Sequence, residues 1–397
     1  MKILVLNCGS SSIKYALYDM KDRTVLASGG AERVGLGDAF VKVKLPNGEK
    51  RQIMHDIPEH TEGVKFIFSL LTDPEIGAIK SLDEIGAVGH RMVHGGEKFN
   101  KSVIIDDEVL RVFESCIGLA PLHNPANLKG VKAVSELMPS LPQVAVFDTA
   151  FHQTMPEHAF LYALPYNLYT EHGVRRYGFH GTSHRYVAQR VCEYLGVSPE
   201  GKRIITCHIG NGGSVAAVKD GKCIDTSMGL TPLEGVMMGT RAGDIDAGAV
   251  LYLQKELQLD PDGMSDLLNK QSGIWGITGI SSDMREIEQA AANNNPKAKL
   301  GLDMYFYRVK KYVGAYAAAM GGVDIIVFTA GVGENQPGLR EEVCRHMEWM
   351  GVKIDNEYNK TIRGQEATLS TPDSQVKVCV IPTDEELMIA SDTMALL

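Results

Sequence analysis

The chain opens with Ile3-Leu4-Val5-Leu6-Asn7-Cys8-Gly9-Ser10-Ser11-Ser12-Ile13-Lys14, and about half its length later it repeats this form as Ile204-Ile205-Thr206-Cys207-His208-Ile209-Gly210-Asn211-Gly212-Gly213-Ser214. Each copy has an apolar strand, a tight loop of small residues and the start of a second strand. Because glycine and serine leave the backbone N–H groups accessible, several of these groups can converge on one anion. Either copy alone could be an ordinary hairpin. Two copies at matching places indicate a duplicated fold with a phosphate-binding loop in each half.

The composition is that of a globular protein of two or three domains. The chain has 397 residues, of which 44% are hydrophobic and 22% are charged. The net charge of −9 argues against a nucleic-acid-binding protein, so an anionic substrate must be held by locally placed Arg and Lys. The seven cysteines include no C-x-x-C pair, which favours a reducing cytoplasm over a disulfide framework. No apolar run is long enough for a signal peptide or a membrane span.

Strand-like and helix-like segments alternate along the chain, which is typical of an α/β protein. We expect the two hairpins to continue into third strands at residues 24–27 and 223–225, and buried strands at 86–88, 144–147 and 325–328. Helix-start signals predict helices over 124–137, from a cap at Ser183 to Leu195, and from Pro337 to Gly351. The strand at 325–328 leads into a glycine loop, Gly331-Val332-Gly333-Glu334-Asn335, that could present N–H groups to a nucleotide.

Several basic residues next to glycines are candidates for binding a phosphoryl group. Lys14 follows the first loop, and Arg91 and Arg241 lie in glycine-rich segments where a ligand can approach closely. An arginine can fork onto carboxylate or phosphate oxygens. His180 is four residues from His184, a zinc-binding spacing, but Gly181 disfavours that geometry, and a donor role towards phosphoryl oxygens is better motivated.

Nine segments together resemble the acetate kinase (acetokinase) family, within the superfamily of acetate and sugar kinases, heat-shock chaperone ATPases and actin. Two of them are Gly89-His90-Arg91-Met92-Val93-His94-Gly95-Gly96 and Tyr177-Gly178-Phe179-His180-Gly181-Thr182-Ser183-His184. The others are residues 6–14, 121–125, 146–152, 208–212, 238–241, 329–335 and 381–386. They follow one another in order and span nearly the whole chain, so the resemblance is specific.

The resemblance implies a two-lobed, actin-like (ribonuclease H-like) duplicated α/β fold with a nucleotide cleft between the lobes. On this basis we expect residues 1–151 plus 385–397 to form the N-terminal lobe. Residues 152–384 would form the C-terminal lobe, which binds nucleotide and contributes to a homodimer. The implied reaction is reversible transfer of phosphate from ATP to acetate, giving acetyl phosphate and ADP by direct in-line transfer. The implied cofactor is Mg²⁺, for which Mn²⁺ can substitute.

The resemblance also implies roles for individual residues. Asn7 and Glu385 would lie near the metal, with Ser10 and Ser12 in a phosphate loop. Arg91 would hold acetate, and Asp148, His180 and Arg241 would be catalytic. An apolar pocket for the acetate methyl group would comprise Val93, Leu122, Phe179 and Pro232. The residues implied around ATP are Lys14, His208, Ile209, Gly210, Asn211, Gly212, Asp283, Met284, Arg285, Gly331, Val332, Gly333, Glu334 and Asn335.

The family role implied for Asp148 is that of an acid/base residue. A carboxylic acid substrate is already ionised at pH 7, however, so the reaction does not need a base for it. An alternative role for Asp148 is to orient an arginine or a metal-bound water.

Two other functions stay open from the sequence. A propionate kinase would share nearly all of these motifs, because one methylene in an apolar pocket is worth only about 1–3 kcal/mol. An actin-like or chaperone-like ATPase would use the same loops as a conformational switch. That alternative gives no role to a pair of arginines suited to an acyl substrate, and the chain has no obvious room for an appended substrate-binding domain.

Overall fold

A computed structural model of the protein describes residues 1–45, 48–121 and 123–397. The chain divides into two compact units. One comprises Met1–Phe151 with Asp384–Leu397, and the other comprises His152–Thr383. Each unit contains a mixed β-sheet and its own helices.

The sheet of the first unit has an antiparallel half and a parallel half. Its strands are β1 (Lys2–Cys8), β2 (Ser12–Asp19), β3 (Thr24–Glu32), β4 (Phe40–Lys44), β5 (Lys50–Met54), β6 (Ile85–Met92), β7 (Val103–Ile104) and β8 (Gln143–Phe147). They lie in the order β5-β4-β3-β2-β1-β6-β8-β7. β1 pairs antiparallel with β2 and parallel with β6, and β6 pairs parallel with β8.

The central strand β1 is covered on both faces, which explains its unbroken apolar run. The helices of the first unit are His60–Leu71, Asp107–Ser115, Asn124–Leu137 and Glu385–Ala395. Leu4 and Leu6 belong to the buried cluster that includes the first and third of these helices, whereas Ile3 and Val5 pack with the C-terminal helix. Each fully buried side chain of this size contributes about 1.5–3 kcal/mol. The alternation of the strand therefore places two apolar layers on one sheet.

The sheet of the second unit repeats this pairing. Its strands are β9 (Arg203–Ile209), β10 (Gly213–Lys219), β11 (Lys222–Thr226), β12 (Ile325–Thr329), β13 (Ala367–Thr368) and β14 (Lys377–Val380). They lie in the order β11-β10-β9-β12-β14-β13. As in the first unit, the strand before the glycine loop pairs antiparallel with its hairpin partner and parallel with a later strand. The two hairpins of the sequence are thus equivalent elements of a duplicated α/β fold, as predicted.

The helices of the second unit follow the strands and connect them. They are Glu157–Phe160, Tyr166–His172, Gly181–Leu195, Ala247–Glu256, Pro261–Lys270, Gly273–Thr278, Met284–Ala292, Pro296–Met320, Ala330–Asn335, Pro337–Cys344 and Asn356–Thr361. Over the described residues, no helix combines the length and apolar character needed to cross a membrane.

The helix predicted over 124–137 is confirmed, but three boundary predictions are wrong. The second helix begins at Gly181, because His180 takes a left-handed conformation (φ 56°) and acts as the N-cap instead of Ser183. The predicted glycine loop is the short helix Ala330–Asn335, which follows β12 through the left-handed Ala330 (φ 64°). The next helix starts at Pro337 as predicted but ends at Cys344.

A fully buried arginine holds the end of this glycine-rich helix. Arg340 is 0% exposed and donates from Nη1 to the carbonyl oxygens of Gly333 and Glu334, both at 2.9 Å. Its Nε and Nη2 donate to Asn359 Oδ1 (2.7 Å), Asn359 O (3.2 Å) and Ile362 O (2.9 Å). Burial lowers the pKa of Arg340 to about 10, so it stays charged at neutral pH. One cation thus binds the carbonyl ends of two helices, where the helix dipoles favour positive charge.

We expect Arg340→Met to lower the free energy of unfolding by about 3 kcal/mol or more, because several buried carbonyl oxygens lose their donor. Calorimetry should show this as a decrease in Tm of roughly 6–12 °C. The matched control is Arg345→Met, which removes a half-exposed guanidinium paired with Glu342 and should cost under about 1 kcal/mol. Equal decreases in Tm for the two variants would contradict this role of Arg340.

Candidate functional site

The loop between β1 and β2 is a tight turn that places polar side chains at the end of the sheet. The Gly9 N–H donates to Ser12 O at 2.8 Å, which closes the turn. Asn7 and Lys14 are directly opposite each other in the β1–β2 pairing. Ser10 and Lys14 are exposed, whereas Asn7 and Ser12 are half-buried. The predicted metal and phosphate residues of this loop therefore lie together on one turn.

Arg91 and Asp148 form a bidentate ion pair at the carboxyl ends of two parallel strands. Arg91 lies in β6 opposite Val146 of β8, and Asp148 directly follows β8. Arg91 Nε donates to Asp148 Oδ1 at 2.9 Å and Nη2 donates to Oδ2 at 2.6 Å. Asp148 is buried, and its carboxylate raises the pKa of Arg91. Asp148 thus fixes the orientation of the Arg91 guanidinium group, because both carboxylate oxygens accept hydrogen bonds from that group.

Glu385 adds a second carboxylate near this pair. It lies in the first turn of the C-terminal helix, whose N-cap is Asp384. Burial raises the pKa of Glu385 to about 7, against the opposing effect of Arg91, and the negative charges of Asp148 and Glu386 raise it further. This corner of the first unit therefore holds more carboxylate charge than Arg91 and Lys14 neutralise.

Two buried asparagines hold the backbone of this corner, a role that the sequence did not indicate for either. Asn127 accepts from the Val93 N–H at 3.0 Å and donates to Cys8 O at 2.8 Å, so it joins the Arg91 segment to the first loop. Asn124 donates to His94 O at 3.0 Å and accepts from His94 N at 3.3 Å. Both lie on the helix Asn124–Leu137, three residues apart and therefore on one face. The three-residue spacing of these asparagines on a predicted helix is the sequence signal from which this shared role could have been found.

In the second unit, histidines and hydroxyl groups surround the second loop. His180 Nδ1 is 2.8 Å from Ser214 Oγ, and the His180 ring stacks on His208 with 4.1 Å between the ring centroids. His208 Nδ1 is 2.7 Å from Ser183 Oγ. The left-handed His180 thus places its ring at the glycine loop between β9 and β10.

Arg241 and His180 converge on this loop. A Cβ atom added to Gly212 would lie 3.5 Å from Arg241 Nη1 and 3.7 Å from His180 Nε2. Arg241 is half-buried, and burial lowers its pKa. Its Nη1 donates to Pro232 O at 3.2 Å, and within the described ranges it has no carboxylate partner. A guanidinium and an imidazole therefore flank a glycine backbone, an arrangement suited to an anion.

A cavity of about 710 Å³ opens beside this loop within the second unit. Eight of the residues predicted around ATP line it: Gly210, Asn211, Asp283, Met284, Arg285, Gly331, Val332 and Asn335. Its volume falls in the range of small-molecule sites. The structure thus brings together three segments that are far apart in sequence.

Residues 2–391 match the model of the acetokinase family. The chain belongs to the acetokinase family. The acetate kinase of Phocaeicola vulgatus is 68% identical over 397 residues, which are 100% of both chains. The crystal structure of Porphyromonas gingivalis acetate kinase is similar with a TM-score of 0.97, at 59% identity, over 100% of this chain and 99% of that one. A propionate kinase structure from Francisella tularensis has a TM-score of 0.93 at 41% identity, over 100% of both chains.

These findings confirm that the chain is an enzyme of this family, a kinase, as the motifs indicated. They also confirm the actin-like α/β fold that the resemblance implied. The prediction that the chain is an acetate kinase is confirmed, because it matches the acetokinase family and its similar relatives include named acetate kinases.

Other residues predicted around ATP have structural partners in this acetokinase. Glu334 Oε1 accepts from the Thr383 N–H at 3.1 Å, and Gly333 O accepts from Arg340. Ile209 is buried in β9. The cavity also has lining residues that the sequence did not indicate, namely Gly239, Ser282, Glu288, Tyr305 and Gln336. Gly239 belongs to the motif at 238–241, whereas the other four lie outside the quoted motifs, and all five reach the cavity only through the fold.

The residues predicted to surround the acetate methyl group are distributed over both units. Val93 is buried in the first unit beside Arg91, whereas Phe179 is buried beside His180 in the second. Pro232 contacts Arg241 through its carbonyl oxygen. Leu122 lies outside the described residues.

Proposed function

We propose that this acetokinase transfers the γ-phosphoryl group of ATP to acetate, in both directions, by direct in-line attack. The observation that carries the proposal is the convergence of Arg241 and His180 on the Gly212 backbone. Phosphoryl transfer is catalysed mainly by positioning and by stabilising charge on the moving phosphoryl oxygens. A half-buried cation without a carboxylate partner in the described part of the chain is suited to that charge.

The nucleotide would occupy the cavity of the second unit. Gly331 and Gly210 line it with accessible backbone, and Gly331 has open space where a Cβ would lie. Arg285 is largely exposed at its rim and pairs with Asp283. The glycine loop with Arg241 and His180 would then receive the phosphates, through backbone N–H groups and charge-assisted hydrogen bonds.

Arg91 would bind the carboxylate of acetate. Asp148 engages Nε and Nη2, so in the described structure Nη1 is available to a ligand. We propose that Asp148 orients Arg91 and is not an acid/base residue, since both of its oxygens already accept hydrogen bonds.

The first unit offers donors suited to Mg²⁺ or Mn²⁺. Asn7 and Glu385 provide oxygen atoms, which hard divalent cations prefer. Burial and the nearby carboxylates of Asp148 and Glu386 raise the pKa of Glu385, and a bound cation would favour its ionised form. Within the described residues no group of three or more His, Cys, Asp or Glu side chains could hold a metal. Water and phosphate oxygens would therefore complete the coordination, and the bound ion would neutralise phosphate charge.

We propose acetate, not propionate, as the preferred acid. The curated relatives at 59–68% identity are named acetate kinases, whereas the propionate kinase structure is 41% identical. Because one methylene changes binding by only about 1–3 kcal/mol, propionate would be a poorer substrate and not an excluded one. A chaperone-like ATPase switch is disfavoured, since the chain belongs to a family of acyl kinases.

The purified protein should form acyl phosphate from ATP, Mg²⁺ and acetate, measured as the hydroxamate after trapping with hydroxylamine. We expect kcat/KM to be highest for acetate and roughly 10- to 100-fold lower for propionate. ATP hydrolysis without hydroxamate from any acid would contradict the proposal.

Arg91→Ala should raise the KM for acetate roughly 10- to 100-fold and leave the KM for ATP nearly unchanged. The matched variant Gly331→Leu should do the reverse, because it fills the cavity.

Asp148→Asn should mainly raise the KM for acetate, by roughly tenfold, because the amide cannot accept both guanidinium donors. The measurement is the dependence of rate on acetate and Mg²⁺ concentration, with Asp107→Asn on an exposed helix as the control. A steep decrease in kcat with unchanged acetate and Mg²⁺ dependence would instead support an acid/base role.

We further propose that the protein forms a homodimer through the second unit. The helix Ala247–Glu256 has no buried residue and exposes Leu251 (67%) and Tyr252 (64%). Trp275 and Tyr307, on other helices of this unit, are also exposed. A contiguous exposed apolar patch is typical of interfaces between protein chains, and we propose that these residues contact a second copy of the chain. The seven cysteines, all buried free thiols, are compatible with the reducing cytoplasm proposed as the location.

The wild-type protein should have twice the mass of the chain in size-exclusion chromatography with light scattering. The double variant Leu251→Glu with Tyr252→Glu should be monomeric, because an apolar interface does not tolerate two carboxylates. Leu36→Glu, which changes an equally exposed leucine of the first unit, should remain dimeric. A monomeric wild type would refute the proposed dimer.

A further inference from the structure

Four side chains of the second unit form a continuous chain of hydrogen bonds that ends at His180. Thr206 Oγ1 is 2.7 Å from His184 Nδ1, and His184 Nε2 is 2.7 Å from Ser214 Oγ. Ser214 Oγ is in turn 2.8 Å from His180 Nδ1. Thr206, His184 and Ser214 are all 0% exposed. Water therefore cannot substitute for any of these partners.

The hydrogen bond between Thr206 and His184 has only one favourable direction, because both groups are buried. Within the described residues, the Thr206 hydroxyl has no hydrogen-bond partner other than His184 Nδ1. A buried hydroxyl that does not donate costs about 1–3 kcal/mol, so Thr206 donates and Nδ1 of His184 accepts. Burial lowers the pKa of His184 well below its usual value, and the neighbouring His152 and His208 lower it further. His184 is therefore neutral, and its single proton is on Nε2.

The remaining two hydrogen bonds then have only one arrangement. His184 Nε2–H donates to Ser214 Oγ, so the one Ser214 proton is left for His180 Nδ1. Because Nδ1 of His180 accepts, its own proton must be on Nε2. This nitrogen is the one that lies 3.7 Å from the position of a Cβ on Gly212, next to Arg241 Nη1.

We propose that Thr206, His184 and Ser214 are positioning residues that select the Nε2–H tautomer of His180 and thereby fix a hydrogen-bond donor at the phosphoryl site. This inference rests on the proposed function for the use of that donor. The other tautomer would turn the Nε2 lone pair towards anionic phosphoryl oxygens, which repels them. In the selected tautomer the N–H is oriented before the charge develops, and this preorganisation gives such donors their catalytic effect.

The tautomer can be measured without any assay of activity. The ring nitrogens of ¹⁵N-histidine-labelled protein give distinct NMR shifts for protonated and unprotonated atoms, and His180→Gln identifies the signals of His180. We expect wild-type His180 to be a single neutral Nε2–H species. Ser214→Ala and Thr206→Val should populate the Nδ1–H form, whereas the control Thr278→Val should not. Thr278 is also buried, but it donates to Ile274 O and is not part of the chain of hydrogen bonds.

Kinetics then separate a positioning role from a structural one. Ser214→Ala should lower kcat about 10- to 100-fold, as for other partners that orient a functional histidine, with little change in the KM of either substrate. The side-chain amide that His180→Gln introduces always carries its N–H donors and has no imidazole tautomers. In that background, therefore, Ser214→Ala should cost less than about threefold.

A wild-type His180 that carries its proton on Nδ1, or on both nitrogens, would overturn the inference. Equal losses of kcat for Ser214→Ala in the wild-type and His180→Gln backgrounds would also overturn it, because they would indicate a structural effect. If the wild-type tautomer is as expected but no acyl phosphate forms, the proposed function fails while the tautomer assignment stands.

Discussion

Both sheets depend on a central strand that is buried on both faces. β1 in the first unit and β9 in the second have buried apolar side chains on both faces, and Asn7 and His208 lie near their carboxyl ends. Each of these strands has an antiparallel hairpin partner on one side and a parallel strand on the other. The carboxyl ends of parallel strands meet at one edge of a sheet, where open α/β sheets bind their ligands. The positions of the functional side chains follow from this constraint.

The side chains at these edges are held by buried polar groups that are hydrogen-bonded within the fold. Asn127 joins the first loop to the Arg91 segment, Asp148 holds the Arg91 guanidinium, and Arg340 binds the end of the helix that lines the cavity. A buried polar group without a partner is costly, so each of these groups permits only one local arrangement. The same cost fixes the proton positions from Thr206 to His180. Stability and preorganisation of the site therefore have the same physical source.

Sequence reasoning was most successful where function requires a local pattern. The two glycine loops, the helix 124–137 and the acetokinase motifs were all recognisable, because small residues and helix-start signals act over a few neighbours. It was wrong at Ser183, because the left-handed His180 starts the helix two residues earlier. It was also wrong about the loop at 331–335, where a residue that is not glycine, Ala330, takes a positive φ and allows a helix to begin directly after β12.

Hydrophobic periodicity and local motifs encode the fold class, the duplication and the family, so these could be predicted from the sequence. It also indicated Arg91, Asp148, His180 and Arg241 as residues with the right chemistry. Only the tertiary structure showed that Asp148 engages both donors of the Arg91 fork, and that Gly239 and Tyr305 join the cavity. It alone linked Thr206 and Ser214 to His180 through His184. These relations depend on distances between strands and loops that are far apart in sequence, and a proton position depends on every partner in the chain of hydrogen bonds.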